Sequence, residues 1–257
     1  MIHFPPLRTA RFTAQLRELP IRDAIALAAM PEHRIEAAHS YFLRSAVIPD
    51  ASMLDIDQWT VQERTLAVTH YMASTYDDGP NFMVCKVGDV ETHYGDYLDG
   101  SASYPADDVE GIELEGDVWR VRQLTGRLAC SAERLSGSLD GIDGFAYWQF
   151  ALMAAQLVPN EEADSDLSDS DLDRLLLERM QVIAGFPESA FVRLLDAFEV
   201  GREQLHHLFS LGFDKAGIVV KARKESTAPA QCARFPARST VTAVAKYLGG
   251  KPQESGA

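Results

Sequence analysis

The chain has 257 residues, 46% hydrophobic and 24% charged, with a formal net charge of −14. That length suits one large core or two small ones, and the composition is that of an ordinary soluble globular protein. The acidic balance disfavours generic nucleic-acid binding, no apolar run approaches the length of a bilayer crossing, and the first residues lack the pattern of a secretory leader.

The three cysteines, Cys85, Cys130 and Cys232, are far apart and odd in number, which fits a reducing compartment rather than a disulfide framework. Charge is unevenly distributed. From Lys215 onward there are eight basic residues and two acidic ones, against sixteen basic and thirty-six acidic before it. An acidic body with a basic terminal segment suits a protein that meets other proteins.

Helical text begins after Pro20, where Ile21, Ile25 and Ala28 or Ala29 share a face, and resumes over residues 32–46 with Ile35, Ala38 or His39, Phe42 and Ala46. Thr60 opens the clearest helix. In TVQE the Thr60 hydroxyl can accept from the Glu63 amide while the Glu63 carboxylate returns to the cap, with Leu66, His70 or Tyr71 and Ala73 extending the apolar face. Asp77–Pro80 is turn text. NFMVCKV and VETHY flank Gly88–Asp89 as one hairpin, Asp96 to Leu98 form a helical turn, residues 99–111 form a loop, and IELEGDVWRVRQL forms a second hairpin turning at Gly116–Asp117.

Helix resumes with SAERLSG, placing Ser131 and Arg134 near its start. Residues 144–158, stopped by Pro159, form a stronger helix whose broad apolar circumference implies burial or a covering partner. Seven acids lie between Glu161 and Asp173 with no base among them, a connecting stretch in which Asp169 or Ser170 caps the next helix. One helix follows to Gly185, and another opens at Pro187 with Phe191, Leu194, Leu195 and Phe198. Gly201 then separates a third containing Leu205, Leu208, Phe209 and Leu211. Ile218 to Val220 suggest a short strand, residues 240–248 a last helix, and the final residues disorder.

The expected fold class is α+β, predominantly helical, with a small antiparallel β-hairpin region inserted between helical parts. The expected divisions are an N-terminal helical region (1–80), a small β region (81–128), a central helix (129–160), an acidic linker (161–173), a C-terminal helical subdomain (174–212) and a basic tail with a terminal helix (213–257).

Catalytic chemistry has little support. His39, His70, His93, His206 and His207 lack metal-ligand spacing, since adjacent residues on a helix point about 100° apart. Cys85 and His93 face each other across the expected Gly88–Asp89 turn, which leaves a small Cys–His hydrolase as an alternative. The acids 164–173 lack the glycine and terminal glutamate of an EF-hand loop, and Gly137, Gly141 and Gly144 are not followed by a phosphate-loop lysine. No catalytic residue, metal or cofactor is expected.

Partner binding has better candidates. Phe145, Tyr147, Trp148 and Phe150 are too closely spaced for one narrow face, so they either fill a core on all sides or cover a partner. Lys221, Arg223, Lys224, Arg234 and Arg238 either engage an acidic partner or pair with the chain's own 161–173 stretch.

WTVQERTLAVTHYMASTYDDGPNF, the Cys85 strand with YGDYLDG, ELEGDVWRVRQLTG, and LLLERMQVIAGFPESAFVRLLDAFEVGREQLHHLF resemble, in this order over roughly residues 55–235, the baseplate-hub and tail-assembly proteins of T4-like phages. The resemblance implies a helix meeting a small β insertion, and a role in the virion baseplate or in tail assembly. Some relatives carry paired cysteines in the β insertion and near the C-terminus. This chain has only Cys85 and Cys232 at comparable places, so a structural zinc does not carry over. The expectation is a non-enzymatic assembly chaperone of the host cytoplasm, its partner a tail, hub or tape-measure protein. A permanent structural component of the virion baseplate is the alternative.

Overall fold

The structure is a computed structural model, in which residues 2–50, 54–100, 103–105, 107–114, 117–159, 167–223 and 232–250 are described. The fold is α+β and predominantly helical, with several small antiparallel sheets. A two-residue pairing, β1 (Leu7–Arg8) with β2 (Thr13–Ala14), precedes helices α1 (Ile21–Ala29), α2 (Ile35–Ala46) and α3 (Val61–Thr75). Two hairpins follow: β3 (Met83–Val87) with β4 (Val90–His93), and β5 (Val109–Leu114) with β6 (Asp117–Val121). Helices α4 (Gly126–Arg134) and α5 (Gly144–Gln156) lead into β7 (Leu157–Pro159), which returns to pair with β6. Then come α6 (Asp169–Ala184) and α7 (Glu188–Gln204). The sheet of β8 (Ser210–Asp214), β9 (Gly217–Lys221) and β10 (Cys232–Ala233) precedes the closing helix α8 (Ala243–Gly249).

The buried apolar residues form one cluster that takes members from every part of the chain, from Phe4 through Phe42, Trp59, Val121, Met153, Leu176 and Phe198 to Phe235 and Ala245. The two hairpins therefore sit on a core shared with both helical parts.

The Thr60 capping box forms as the sequence requires, with both reciprocal hydrogen bonds present. The apolar stripe expected for α3 is too narrow, because the helix runs through the core. Gln62, Glu63, Arg64, Thr65 and Thr69 are buried beside Val61, Val68, Tyr71 and Met72, while Leu66 is only partly buried. The cap of α3 is also tied to the cap of α4, since Val61 N–H donates to Leu124 O and Gly126 N–H to Trp59 O.

That contact explains a misplaced start. The α4 helix begins at Gly126 under a Thr125 cap, so Ser131 and Arg134 lie near its end, not its beginning. The α6 helix likewise starts earlier than expected. Ser168, rather than Asp169 or Ser170, is the cap, accepting from Asp171 N–H. Asp169, Asp171 and Asp173 are thus helical. Asp169 and Asp171 in the first turn are favourable at the positive end of the helix dipole, and residues 169–173 of the acidic stretch are helix rather than linker. Residues 160–166 lie outside the described residues.

The face of α1 is rotated from its expected position. Leu27, Ala24 and Ala28 are buried while Ile21 is 57% exposed. Elsewhere α7 continues straight through Gly201, and no third helix follows. Leu208 and Phe209 lead into strand β8 instead. Gly201 is there for clearance. A Cβ at that position would stand 2.8 Å from Cγ2 of Val121, a fully buried residue of β6.

The sign of one substitution separates clearance from helix breaking. Gly201→Ala is expected to lower stability by about 1–3 kcal/mol in urea unfolding, through overpacking against a β-branched neighbour. Combining it with Val121→Ala should cost less than the two single changes added together. A residue that merely interrupted a helix would instead gain about 1 kcal/mol from alanine.

Candidate functional site

The β8–β9 turn, the segment after β10 and helix α8 come together against the loop between α1 and α2. They enclose a cleft of about 810 Å³ whose charged lining is Lys215, Arg234, Arg238, Lys246 and Glu32, with His33 beside them. Each element has a local reason to be there. Strands β8 and β9 pair through Asp214↔Gly217, which leaves Lys215 and Ala216 as the two-residue turn. Arg238, in the short 3-10 turn Ala237–Thr240, donates from Nη2 to the Ala28 carbonyl at 2.8 Å, near the carbonyl-rich end of α1. Lys246 rides on α8, which Thr242 caps by accepting from Ala245 N–H.

Charge in the cleft is only partly neutralised. Arg234 pairs with Asp214, and Arg238 lies 3.6 Å from a Glu32 carboxylate that is 93% exposed. Lys215 and Lys246 make no ion pair among the described residues. The basic segment is not closed on the described part of the acidic stretch, whose carboxylates are held by other arginines. Arg127 holds Asp169, Arg134 holds Asp173 and Arg174 holds Asp171.

An exposed aromatic side chain adjoins the cleft. Lys215 Cβ would be 3.5 Å from a Cβ built on Gly144, so the start of α5 adjoins the basic turn. There Phe145 is 58% exposed, its ring 4.9 Å from that of Phe213. On α8, Tyr247, next to Lys246, is 83% accessible, while the exposed Val244 and Leu248 lie on the opposite flank of the helix.

The expected partner-binding residues therefore separate. Arg234 and Arg238 line the cleft and Phe145 stands at its side. Tyr147 and Trp148 belong to the core. The Tyr147 hydroxyl donates to Ala132 O, and Trp148 packs edge-on against Tyr147 and beneath Gly217. Phe150 is half-buried, stacked on Phe191 at 5.2 Å. Lys221 is exposed on β9 and Arg223 anchors its backbone to Asp96 O, but neither lines the cleft. Lys224 lies outside the described residues. Sequence reasoning passed over Lys215 and Lys246 although both belong to the basic segment. Their signal was a turn position and a terminal helix, not a charge run.

The Cys–His pair is not assembled. The β3–β4 register sets Cys85 opposite Thr92 and His93 opposite Met83. Neighbouring strand residues leave opposite faces, so Cys85 and His93 do not meet. Cys85 and Cys232 both act electrostatically on the hydroxyl of the buried Tyr97. Among the described residues no three His, Cys, Asp or Glu gather as metal ligands, and no helix is long and apolar enough to cross a membrane.

The histidines have structural contacts. His39 Nε2 donates to Phe235 O at 3.0 Å, His70 Nε2 donates to Pro5 O at 2.8 Å, and the ring of His207 contacts Leu205 O through Nδ1. His206 Nε2 accepts from Leu211 N–H at 3.2 Å, which requires an unprotonated nitrogen. Burial pushes its pKa down to about 4, against a partly opposing Glu203.

Two measurements follow from these environments. Because the folded pKa of His206 is depressed, the unfolded chain binds the extra proton first, and stability is lost as pH falls from 6.5 toward about 4. The loss is on the order of 3 kcal/mol. Urea unfolding at pH 7 and pH 4 should show it, with a smaller difference in His206→Gln. Trp148→Ala is expected to cost about 3–5 kcal/mol as a core deletion. Phe145→Ala should cost about 1 kcal/mol or less, which thermal unfolding of the two variants compares directly.

No protein-family model, no curated protein and no solved structure matches this chain.

Proposed function

We propose that this protein is a non-enzymatic assembly factor that binds an acidic segment of a structural partner in the Lys215–Arg234–Arg238–Lys246 cleft. The observation that carries this reading is the cleft itself, a concentration of cations on a chain of net charge −14, with exposed Phe145 beside its basic turn and exposed Tyr247 next to Lys246. A cation-lined cleft speeds encounter with an acidic partner and rejects basic ones, while exposed aromatic side chains supply the area that holds the complex. The acidic remainder keeps the unbound protein soluble.

The resemblance of residues 55–235 to T4-like baseplate-hub and tail-assembly proteins supports a phage tail, hub or tape-measure protein as that partner, met in the host cytoplasm. A chaperone of this kind needs a contact surface and no reacting group. A permanent place in the baseplate would use the same surface and differ only in whether the protein stays bound.

The clean variant is Lys215→Glu with Lys246→Glu, because neither lysine holds an ion pair among the described residues. Affinity capture from the native host with the wild-type chain should recover a tail or hub protein bearing an acidic segment. The double variant should recover about tenfold less or lower, the equivalent of roughly 1.4 kcal/mol or more. Equal recovery at unchanged thermal stability would sink the cleft assignment. Stoichiometric retention in purified virions would replace the transient chaperone by the permanent component.

A further inference from the structure

A second cleft, of about 390 Å³, lies between α2 and α4. Its construction follows from helical spacing. Ala37, Ser40 and Arg44 fall at i, i+3 and i+7 on α2, with Arg34 one turn earlier at the cap. Arg127, Cys130 and Arg134 repeat the same spacing on α4. Residues at these intervals share a face, so two matching stripes confront each other. They touch at the floor, where Ser40 Oγ is 3.3 Å from Cys130 Sγ. In a body where thirty-six acids outnumber sixteen bases, four arginines converge on this one opening.

Behind the floor stands Arg64, whose side chain is wholly buried. Its Nη2 donates to Ser40 Oγ at 2.7 Å and lies 3.9 Å from Cys130 Sγ. Ser40 already accepts from a guanidinium, so its own proton is left to donate, to Cys130 Sγ or to a stronger acceptor that enters the cleft, and the buried cation strengthens it as a donor.

The arginine forks at the mouth are already set for oxyanions. Arg44 binds Asp57 through contacts of 2.9 and 2.7 Å, Arg127 Nε binds Asp169 at 3.1 Å while its Nη2 donates to Leu167 O, and Arg134 grips Asp173 at 3.0 and 2.7 Å. The Asp169 side chain is 70% exposed, so it can yield its place at little cost. Arg34 makes no ion pair within 4 Å among the described residues, although its charge acts on the nearby Glu133 carboxylate.

We propose that this cleft binds a phosphate group, either free or as the ester of a small molecule. A carboxylate has two oxygens and satisfies one fork. A phosphate dianion offers more oxygens in a tetrahedral array and can take donors from Arg34 on α2, Arg127 on α4 and the Ser40 hydroxyl at once. The volume suits a phosphate ester of modest size. This site is separate from the basic cleft near α8 and does not depend on the partner assigned to it.

The test uses the full chain with inorganic phosphate and glycerol 3-phosphate as probes, against chloride at matched ionic strength. The expected result is a saturable rise in Tm with at least one probe. Alkylation of Cys130 should slow severalfold under the same conditions, while Cys85 and Cys232, read by peptide mass spectrometry, keep their rates. Both effects should disappear in Arg34→Gln and persist in Lys246→Glu. Arg127→Gln serves as the second variant should Arg34→Gln fail to fold. A rise with inorganic phosphate alone assigns free phosphate, and a stronger one with glycerol 3-phosphate assigns an ester. The proposal is overturned by the absence of a saturable shift, by an unchanged Cys130 rate, by equal slowing of all three thiols, or by retention of both effects in the arginine variant. Binding of a short single-stranded oligonucleotide with no response to either small probe would overturn it as well.

Discussion

Three consecutive polar side chains at the start of α3 hold the molecule together, each facing a different part of the chain. Gln62 accepts through Oε1 from the backbone N–H groups of His207, Leu208 and Phe209 and donates through Nε2 to Leu205 O, fastening the exit of α7 to the core. Glu63 closes its own cap and takes the Arg11 guanidinium, which secures the N-terminal segment. Arg64 donates to Glu36 O and Ser40 Oγ and so binds α2. Leaving a buried donor or acceptor unpaired is costly, so the hydrogen bonds that these residues make fix the position of their neighbours as well as their own, although Arg64 Nε finds no partner. The dependence runs both ways. A Cβ on Gly126 would lie 1.5 Å from Arg64 Nη1, so the first turn of α4 can approach α3 only with glycine there.

The same junction governs local electrostatics. Burial disfavours the Glu36 carboxylate, but His39 and Arg64 beside it hold its pKa below the ordinary value. Burial raises that of Glu133, although its carboxylate accepts from the Glu36 and Ala37 amides at the start of α2. Burial also raises the Cys130 thiol, which is therefore a weakly nucleophilic part of the cleft floor. His39 extends the junction outward through Phe235 O to the segment carrying Arg234 and Arg238. The placement of the basic cleft thus rests on the packing of α2 and α3.

Charge was the strongest signal in the sequence and the one most altered by folding. Counting along the chain separates an acidic body from a basic tail, and that asymmetry does locate Arg234 and Arg238. It cannot show that Lys215 and Lys246 join them, because a turn and a terminal helix meet only through tertiary contacts. Nor can it show that acids counted as linker, Asp169 and Asp173, are answered by Arg127 and Arg134 some forty positions earlier. The four aromatic residues of α5 divided for the same reason. Their spacing is compatible with burial or exposure, and the sheet of β8 and β9 covers Trp148 while leaving Phe145 at the rim.

What the sequence determined by itself was local. The Thr60–Glu63 cap, the hairpin around Gly88–Asp89, the helices near Pro20 and Pro187 and the end of α6 at Gly185 follow from hydrogen bonds and backbone preferences spanning a few residues. The α+β class follows from their order. The tertiary structure decided which faces are buried and what the irregular residues are for. Ile21 turned outward, Gly201 became clearance for Val121 inside an unbroken helix, and Cys85 met Thr92 rather than His93. Each outcome depends on a neighbour distant in sequence or on a one-residue change of register, and periodicity within a single segment contains neither.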